Sequence, residues 1–165
     1  MRVAWTGHRP DLYLSPEAAR EAVEGTAREL LEAFSIEHFL VGGQRGVDTW
    51  AAATAHTLAV PFRVLLPLSV PEFTHHWAPD DRATLERTLG WASEVRIVGE
   101  EAAHAYTERN RLLATSADLL VAVWTRHAGG GTAETLAFAH TAGTPVREVV
   151  LDPSGSASSA QGRGR

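Results

Sequence analysis

The sequence predicts an α/β domain with a mainly parallel sheet of about six strands, doubly wound so that helices flank both faces. Short apolar runs alternate along the chain with longer segments of helical periodicity. Several short runs are nearly continuous Val, Ile and Leu, as expected for strands buried on both faces. Regular alternation of strand and helix favours parallel crossovers, and the 165 residues suffice for one such domain.

The predicted elements follow one another without an interdomain linker. Strands are predicted at 2–6, 38–41, 62–66, 94–98, 119–124 and 146–151, and helices at 15–34, 46–59, 80–92, 101–116 and 131–143. Ser15 is a typical N-cap before Pro16, and Gly143 suits the residue after the last helix. We therefore expect one domain over residues 1–153. Residues 154–165, "SGSASSAQGRGR", have no aliphatic side chain larger than Ala and predict a disordered tail.

The composition excludes several classes of chemistry. There is no Cys, which rules out thiolate metal sites and cysteine nucleophiles, and all fifteen basic residues are Arg, which rules out a Walker lysine or a Schiff base. A formal net charge of −5 argues against a nucleic-acid partner. No apolar run reaches the roughly 20 residues of a membrane span, and no signal peptide is recognisable. We expect a cytoplasmic protein with no membrane partner.

Glycine, arginine and small hydroxyl residues collect where the predicted strands end. Ligands of open α/β sheets bind beyond these carboxyl ends. Glycines let the backbone approach an anion, and a helix N-terminus beyond them offers free N–H groups. The pattern predicts a phosphate or the adjacent ribose of a nucleotide-like small molecule, with arginines adding bidentate contacts. The candidate binding residues are Thr6, Gly7, His8, Arg9, Gly42, Gly43, Gln44, Arg45, Gly46, Asp48, Asn110, Gly129, Gly130, Gly131 and Thr132, with Arg109 as a further phosphate ligand.

Plainer interpretations of the same residues stay open. A glycine pair before a helix is usually only a turn, Thr132 could be an N-cap, and Arg109 lies mid-helix where arginines are usually solvated. Neither glycine cluster fits the G-x-G-x-x-G fingerprint. Adjacent His75 and His76 diverge and lack a helical H-x-x-x-H partner, so we predict no metal and no cofactor beyond a nucleotide. Trp50 and Trp91 are interpreted as packing aromatics, and Trp77 as either packing or ligand stacking.

Four segments together resemble a known family. "TGHRP", "GGQRGVDTWAAA", the Trp77 segment and "ERNRLLATSADLLVAVW" resemble the YpsA-like proteins of the SLOG superfamily, in matching order from Thr6 to about Thr144. That superfamily groups the LOG nucleotide phosphoribohydrolases with the DNA-processing protein DprA. The resemblance implies a Rossmann-like fold and a nucleotide-derived ligand, without implying a reaction.

The resemblance to the LOG enzymes, which cleave the N-glycosidic bond of nucleoside monophosphates, is incomplete. Their loop P-G-G-x-G-T-x-x-E is matched at Gly131 and Thr132, but Ala128 replaces its first Gly, its Pro is absent and Thr135 replaces its acid. Asn110 stands where they carry the lysine after the helix arginine. If the chain is an enzyme, the resemblance implies catalytic roles for Arg109, on the 5′-phosphate, and Glu134, beside the ribose. One residue of offset rotates a helical side chain by about 100°, which would turn Glu134 away.

Three functions therefore compete at this point. We place a ligand-binding or sensor protein first because the hydrolase loop is altered. A hydrolase of nucleoside monophosphates is the alternative, so enzymatic activity stays open. DprA-like binding of single-stranded DNA is third. Oligomeric state also stays open, since the apolar helix "ETLAFAHTA" could form a homo-oligomer interface or cover the sheet.

Overall fold

The computed structural model describes residues 1–99, 102–126, 129–151 and 157–160. Its sheet has the order β4-β3-β2-β1-β5-β6-β7, in which the first six strands are parallel and β7 is antiparallel to β6. The strands are β1 (Arg2–Gly7), β2 (His38–Val41), β3 (Phe62–Leu66), β4 (Glu94–Ile97), β5 (Leu119–Trp124), β6 (Val146–Leu151) and β7 (Ala157–Ala160). The predicted α/β class and the six predicted strands are confirmed.

Six helices connect the strands. They are α1 (Pro16–Ala33), α2 (Val47–Thr57), α3 (Val70–Phe73), α4 (Pro79–Trp91), α5 (Ala102–Thr115) and α6 (Gly131–Ala142), with a 3-10 turn at Pro10–Leu12. The sequence did not predict α3 or the 3-10 turn, because both are too short to show periodicity. Residues 157–160 of the expected tail form β7, and its other residues lie outside the described part of the chain.

The core lies on both faces of the sheet. On one face the apolar residues of α1, α2 and α4 pack against side chains such as Trp5, Phe39 and Leu66. On the other face α5 and α6 cover a smaller cluster that includes Leu40 and Leu120. A chain buried in this way on both faces needs the nearly continuous apolar strands seen in the sequence.

The strand order reverses at β1, and this reversal positions the candidate site. From β1 the chain proceeds through β2, β3 and β4 on one side and then crosses to β5 and β6 on the other. The connections leaving the carboxyl ends of β1 and β5 therefore diverge onto opposite faces of the sheet. Such a switch point opens a crevice at this edge, which is where ligands bind in this fold class.

Candidate functional site

A cleft of about 520 Å³ opens at the switch point and is called the first cleft here. It is formed by the loops after β1, β2 and β5 and by one side of α5. Most of the predicted binding residues line it, including the three glycines after β5 and, from the loop after β2, Gln44. These are Thr6, Gly7, His8, Arg9, Gln44, Asp48, Arg109, Asn110, Gly129, Gly130, Gly131, Thr132 and Glu134.

Four candidates do not line the first cleft. Gly42 lies beneath the side chain of Arg109, and a Cβ on Gly43 would meet the side chain of Leu66 in the core. Arg45 and Gly46 line a second cleft, between α2 and α4. The sequence analysis in turn missed Leu12, Tyr106 and Leu113, which line the first cleft. Helical spacing could have identified Tyr106 and Leu113, since they lie three and four residues from Arg109 on α5.

Arg109 is a buried cation at the wall of the first cleft. The inward face of α5 carries Ala105, Arg109 and Leu113 at four-residue spacing, so Arg109 points toward the sheet although it lies mid-helix. Its side chain is only 6% exposed. Nη1 donates to the carbonyl oxygen of Gly42 at 2.5 Å, and Nε donates to Oδ1 of Asn110 at 2.9 Å. Burial lowers the pKa of Arg109, while the charge of Asp48 opposes that change.

Asp48 supplies a buried carboxylate close to Arg109. It lies in the first turn of α2, and its Oδ2 accepts a hydrogen bond from the backbone N–H of Gln44 at 3.0 Å. Burial raises the pKa of Asp48 to about 6, although the charge of Arg109 and the backbone donors of Gln44 and Gly42 act in the opposite direction. Desolvation therefore dominates at this carboxyl group, which titrates near neutral pH.

Glu134 is held in the first cleft by two side-chain donors. Its Oε2 accepts from Nδ2 of Asn110 at 2.7 Å, and its Oε1 accepts from Oγ1 of Thr107 at 3.0 Å. Because Asn110 also bonds Arg109, a continuous chain of hydrogen bonds links Gly42, Arg109, Asn110 and Glu134. The one-residue offset thus leaves the Glu134 carboxylate at the cleft, beside the buried guanidinium.

The glycine-rich loop after β5 leads directly into α6. Gly130 has φ +82° at the N-cap position, and no side chain caps this end of α6 among the described residues. The first backbone bond of the helix runs from Glu134 N–H to the Gly130 carbonyl, at 3.0 Å. The N–H groups of the preceding turn therefore remain available to an anion, at the positive end of the helix dipole.

Tyr13 fixes the rim of the first cleft. Its hydroxyl donates to the carbonyl of Val123 at 2.6 Å and accepts from the backbone N–H of His8 at 2.9 Å, which joins the ends of β1 and β5. His8 is buried, and this burial lowers its pKa. Its ring packs beside those of Tyr13 and Trp124.

Metal and membrane features were also sought. In the described residues, no group of three or more His, Asp or Glu side chains is arranged to hold a metal ion. His75 and His76 are both exposed, with ring centroids 4.4 Å apart. Across the same ranges, no helix combines the length and apolarity that membrane spanning requires.

The fold and the cleft define the class of this protein. It is a Rossmann-like α/β protein with glycine-rich loops on both sides of the switch point of its sheet. The profile of the YpsA family, described as the YspA SLOG family, matches residues 16–143, and the chain belongs to this family. A search of curated proteins finds no match.

Solved structures share the fold at low sequence identity. DNA processing protein A from Helicobacter pylori is 18% identical with a TM-score of 0.62, and the match covers 88% of this chain and 63% of that one. DNA processing protein A from Streptococcus pneumoniae is 16% identical with a TM-score of 0.64, covering 89% and 49%. The structure of TM1055 is 20% identical with a TM-score of 0.59, covering 88% and 71%. The chain thus spans less than two thirds of either DNA processing protein.

The expectation about nucleic acid is corrected by these matches. Net negative charge argued against a nucleic-acid partner, yet the Helicobacter pylori protein of the same fold is described by its single-stranded DNA binding mode. Overall charge averages over the whole surface, whereas binding depends on the local arrangement of cationic groups. Net charge therefore does not rule out nucleic acid for this fold.

Proposed function

We propose that the first cleft binds a nucleotide unit through its phosphate, and that the protein acts as a nucleotide-binding or sensor protein. The buried Arg109 carries this proposal. Its Nε and Nη1 are held by Asn110 and Gly42, and Nη2 has no hydrogen-bond partner among the described residues. Arg109 is buried as a residue, its guanidinium is fixed at two nitrogens, and the residue borders an open cleft, which is an arrangement that suits an anion.

The buried charge supports a role in binding because burial is unfavourable for stability. Removing an ionised group from water is costly unless a partner compensates it. The charge of Asp48 compensates that of Arg109 in part. Burial raises the pKa of Asp48 to about 6, however, so it also disfavours the ionised form of this partner. A phosphate would complete the neutralisation of Arg109. We infer that Arg109 is maintained for its ligand and contributes little to folding.

The remaining features of the cleft accommodate the other parts of a nucleotide. The free amides at the start of α6 would hold further phosphate oxygens. The Glu134 carboxylate is an acceptor for ribose hydroxyl groups. Leu12, Leu113 and Tyr106 give the cleft an apolar part that suits a base, and Tyr106 is 40% exposed.

Calorimetric titration of AMP and adenosine tests the proposal. We expect saturable AMP binding that Arg109→Ala weakens by about 1.5–3 kcal/mol, the range for a hydrogen bond to a charged group, with a much smaller effect on adenosine. Arg109→Lys should restore only part of the loss because Lys cannot make the same bidentate contacts. Arg111→Ala is the matched control, because Arg111 lies on the same helix but is exposed and pairs with Glu108. Equal weakening of AMP and adenosine by Arg109→Ala would contradict the proposal.

Hydrolysis of a nucleoside monophosphate is the second candidate, and the position of Glu134 favours it. An oriented carboxylate beside the ribose would stabilise an oxocarbenium-like transition state and direct water to the sugar carbon. Incubation with AMP should then release free adenine, measured by chromatography, and Glu134→Gln should abolish release while retaining AMP binding. Binding without release would leave the sensor function.

A further inference from the structure

A second cleft of about 590 Å³ lies between α2 and α4, and its lining differs in chemistry from that of the first. It contains three arginines, Arg20, Arg45 and Arg87, and a single carboxylate, Asp81. The first cleft has two arginines, Arg9 and Arg109, balanced by Asp48 and Glu134. The second cleft is thus the more electropositive of the two, although the chain as a whole is acidic.

The arginines of the second cleft differ in how far other residues engage them. Arg45 lies over the Trp77 ring at 5.4 Å and pairs with Asp81 at 3.1 Å, which leaves its buried Nε without a hydrogen-bond partner among the described residues. Arg87 is exposed, and within the described part of the chain its guanidinium has one hydrogen-bond partner, Oγ1 of Thr84, at 3.4 Å. Its donors are therefore available to a phosphate.

Two tryptophans give the second cleft a surface for a planar ring. Trp91 is 38% exposed, and one face of its indole is stacked on His56, with centroids 4.2 Å apart and planes 3° from parallel. Trp50 is half-buried on α2 and lines the same cleft. Both residues were interpreted from sequence as packing aromatics. Aromatic surface beside arginines is the combination that binds a base and its phosphate.

The two clefts meet along a narrow boundary. Arg9 lines the first cleft and Pro10 the second, while Gln44 lines the first and Arg45 the second. Two short loops therefore separate them, and Gly46 packs so closely on the carbonyl of His8 that a Cβ there would overlap it. At this boundary α2 begins, with no side-chain cap among the described residues. Residues 46–49, where α2 begins, are buried beneath the loop after β1, so a group crossing from one cleft to the other passes over these loops.

We propose that the second cleft holds a second nucleotide unit, so that the full ligand has two nucleosides joined through phosphate, one in each cleft. This inference rests on the proposed function of the first cleft. The linking phosphate crosses over the two loops at the boundary, the second base lies against Trp91 or Trp50, and Arg87 contacts the phosphate on that side. The linkage is either a 3′–5′ phosphodiester, as in a single strand, or a 5′–5′ pyrophosphate.

Titration of four adenine ligands at constant ionic strength tests the inference. The probes are AMP, ADP, the 5′-phosphorylated 3′–5′ dinucleotide of adenosine, and diadenosine diphosphate. We expect one dinucleotide to bind at least about tenfold more tightly than AMP and ADP, and the better one identifies the linkage. ADP controls for added charge because it lacks the second nucleoside. Arg87→Ala and Trp91→Leu should each remove most of the gain and leave AMP affinity unchanged, whereas Arg111→Ala should preserve the gain.

The outcomes separate this inference from the function on which it rests. If AMP binds and neither dinucleotide binds more tightly than ADP, the second nucleotide unit is refuted while the first cleft keeps its function. A gain that survives both Arg87→Ala and Trp91→Leu equally refutes the second cleft as its source. If no ligand binds, the two proposals fail together. A gain lost in both variants supports the inference.

Discussion

Gly42 and Arg109 fit closely together at the wall of the first cleft. The carbonyl oxygen of Gly42 accepts a hydrogen bond from Nη1 of Arg109 at 2.5 Å, and the guanidinium occupies the space in which a Cβ on residue 42 would lie. A Cβ there would also come within 2.8 Å of Oδ2 of Asp48. Glycine at this position thus permits a buried cation to reach the end of β2.

Gly42→Ala should destabilise the protein by about 1–3 kcal/mol, the usual range for overpacking a buried site. The added methyl group would displace the Arg109 guanidinium and disturb its hydrogen bonds to Gly42 and Asn110. Urea unfolding of the variant measures the effect. In an Arg109→Ala background the same substitution should cost clearly less, because the methyl group then enters vacated space, and a double-mutant cycle gives the coupling.

Gly25→Ala provides the matched control for that substitution. Gly25 is exposed within α1, and a Cβ there meets nothing within 4 Å. Replacing a mid-helix glycine by alanine should stabilise the protein by about 0.5–1 kcal/mol. If both alanine variants shift stability equally, or if the cycle shows no coupling between residues 42 and 109, the packing explanation is wrong.

Asp48 should make stability fall as pH rises through the range of its titration. Its pKa is raised to about 6 in the folded protein against 3.8 for the free group, so the folded state binds the proton more tightly than the unfolded state. The favourable contribution is complete below about pH 4 and is lost as pH rises through 6. A shift of this size corresponds to on the order of 2–4 kcal/mol.

Asp48→Asn tests this assignment by removing the titration. Urea unfolding from pH 4 to pH 7.5 should show the variant gaining stability relative to wild type across the interval, because Asn pays no cost of ionisation. Glu86→Gln on the exposed side of α4 serves as the control, with no such relative gain. Parallel curves for wild type and Asp48→Asn would exclude Asp48 as the titrating group.

The sequence predicted the sheet better than the connections between strands. Runs such as 119–124 must be apolar on both faces because helices cover both sides, and that requirement is visible in the sequence. α3 spans only Val70–Phe73 and includes Pro71, too short for any periodicity to indicate it. The strand order was also beyond sequence reasoning, because it depends on which strands pair across the whole chain.

The sequence located the loops of the candidate site but not the direction of their side chains. Gly129, Gly130 and Gly131 were placed correctly at the sheet edge because a strand precedes them and a helix follows. Arg45 was grouped with the binding arginines, yet its guanidinium turns toward Asp81 and Trp77 in the second cleft. Arg109 was predicted as a phosphate ligand, with a solvated mid-helix arginine as the plainer interpretation, and the structure buries it at four-residue spacing from Ala105 and Leu113. Side-chain direction in loops depends on tertiary partners that no local pattern encodes.

Tyr13→Phe should destabilise the protein by about 1–3 kcal/mol, because it leaves the carbonyl of Val123 and the N–H of His8 without their shared partner. Because both groups lie at the rim of the first cleft, the Tyr13 hydroxyl stabilises the part of the fold that forms the site. Urea unfolding measures the effect. Tyr106→Phe is the control, because Tyr106 is 40% exposed and surface changes usually remain within about 0.5 kcal/mol. Equal effects of the two variants would contradict a special role for the Tyr13 hydroxyl.

Gly130 and Gly129 offer a paired test of the loop before α6. At neither position would an added Cβ meet a heavy atom of the described residues within 4 Å, but Gly130 alone of the two has a positive φ, +82° with ψ −154°. This conformation is nearly exclusive to glycine and costs other residues about 1–3 kcal/mol.

Gly130→Ala should relieve that strain by moving the loop, which would reorient the free amides of α6 and weaken AMP binding by at least about fivefold. Gly129→Ala should weaken AMP binding less than Gly130→Ala does, because the backbone at Gly129 has no positive φ and needs no rearrangement to accept a Cβ. Calorimetric titration of both variants decides the matter, because equal affinities would mean that the backbone at Gly130 does not control the anion site.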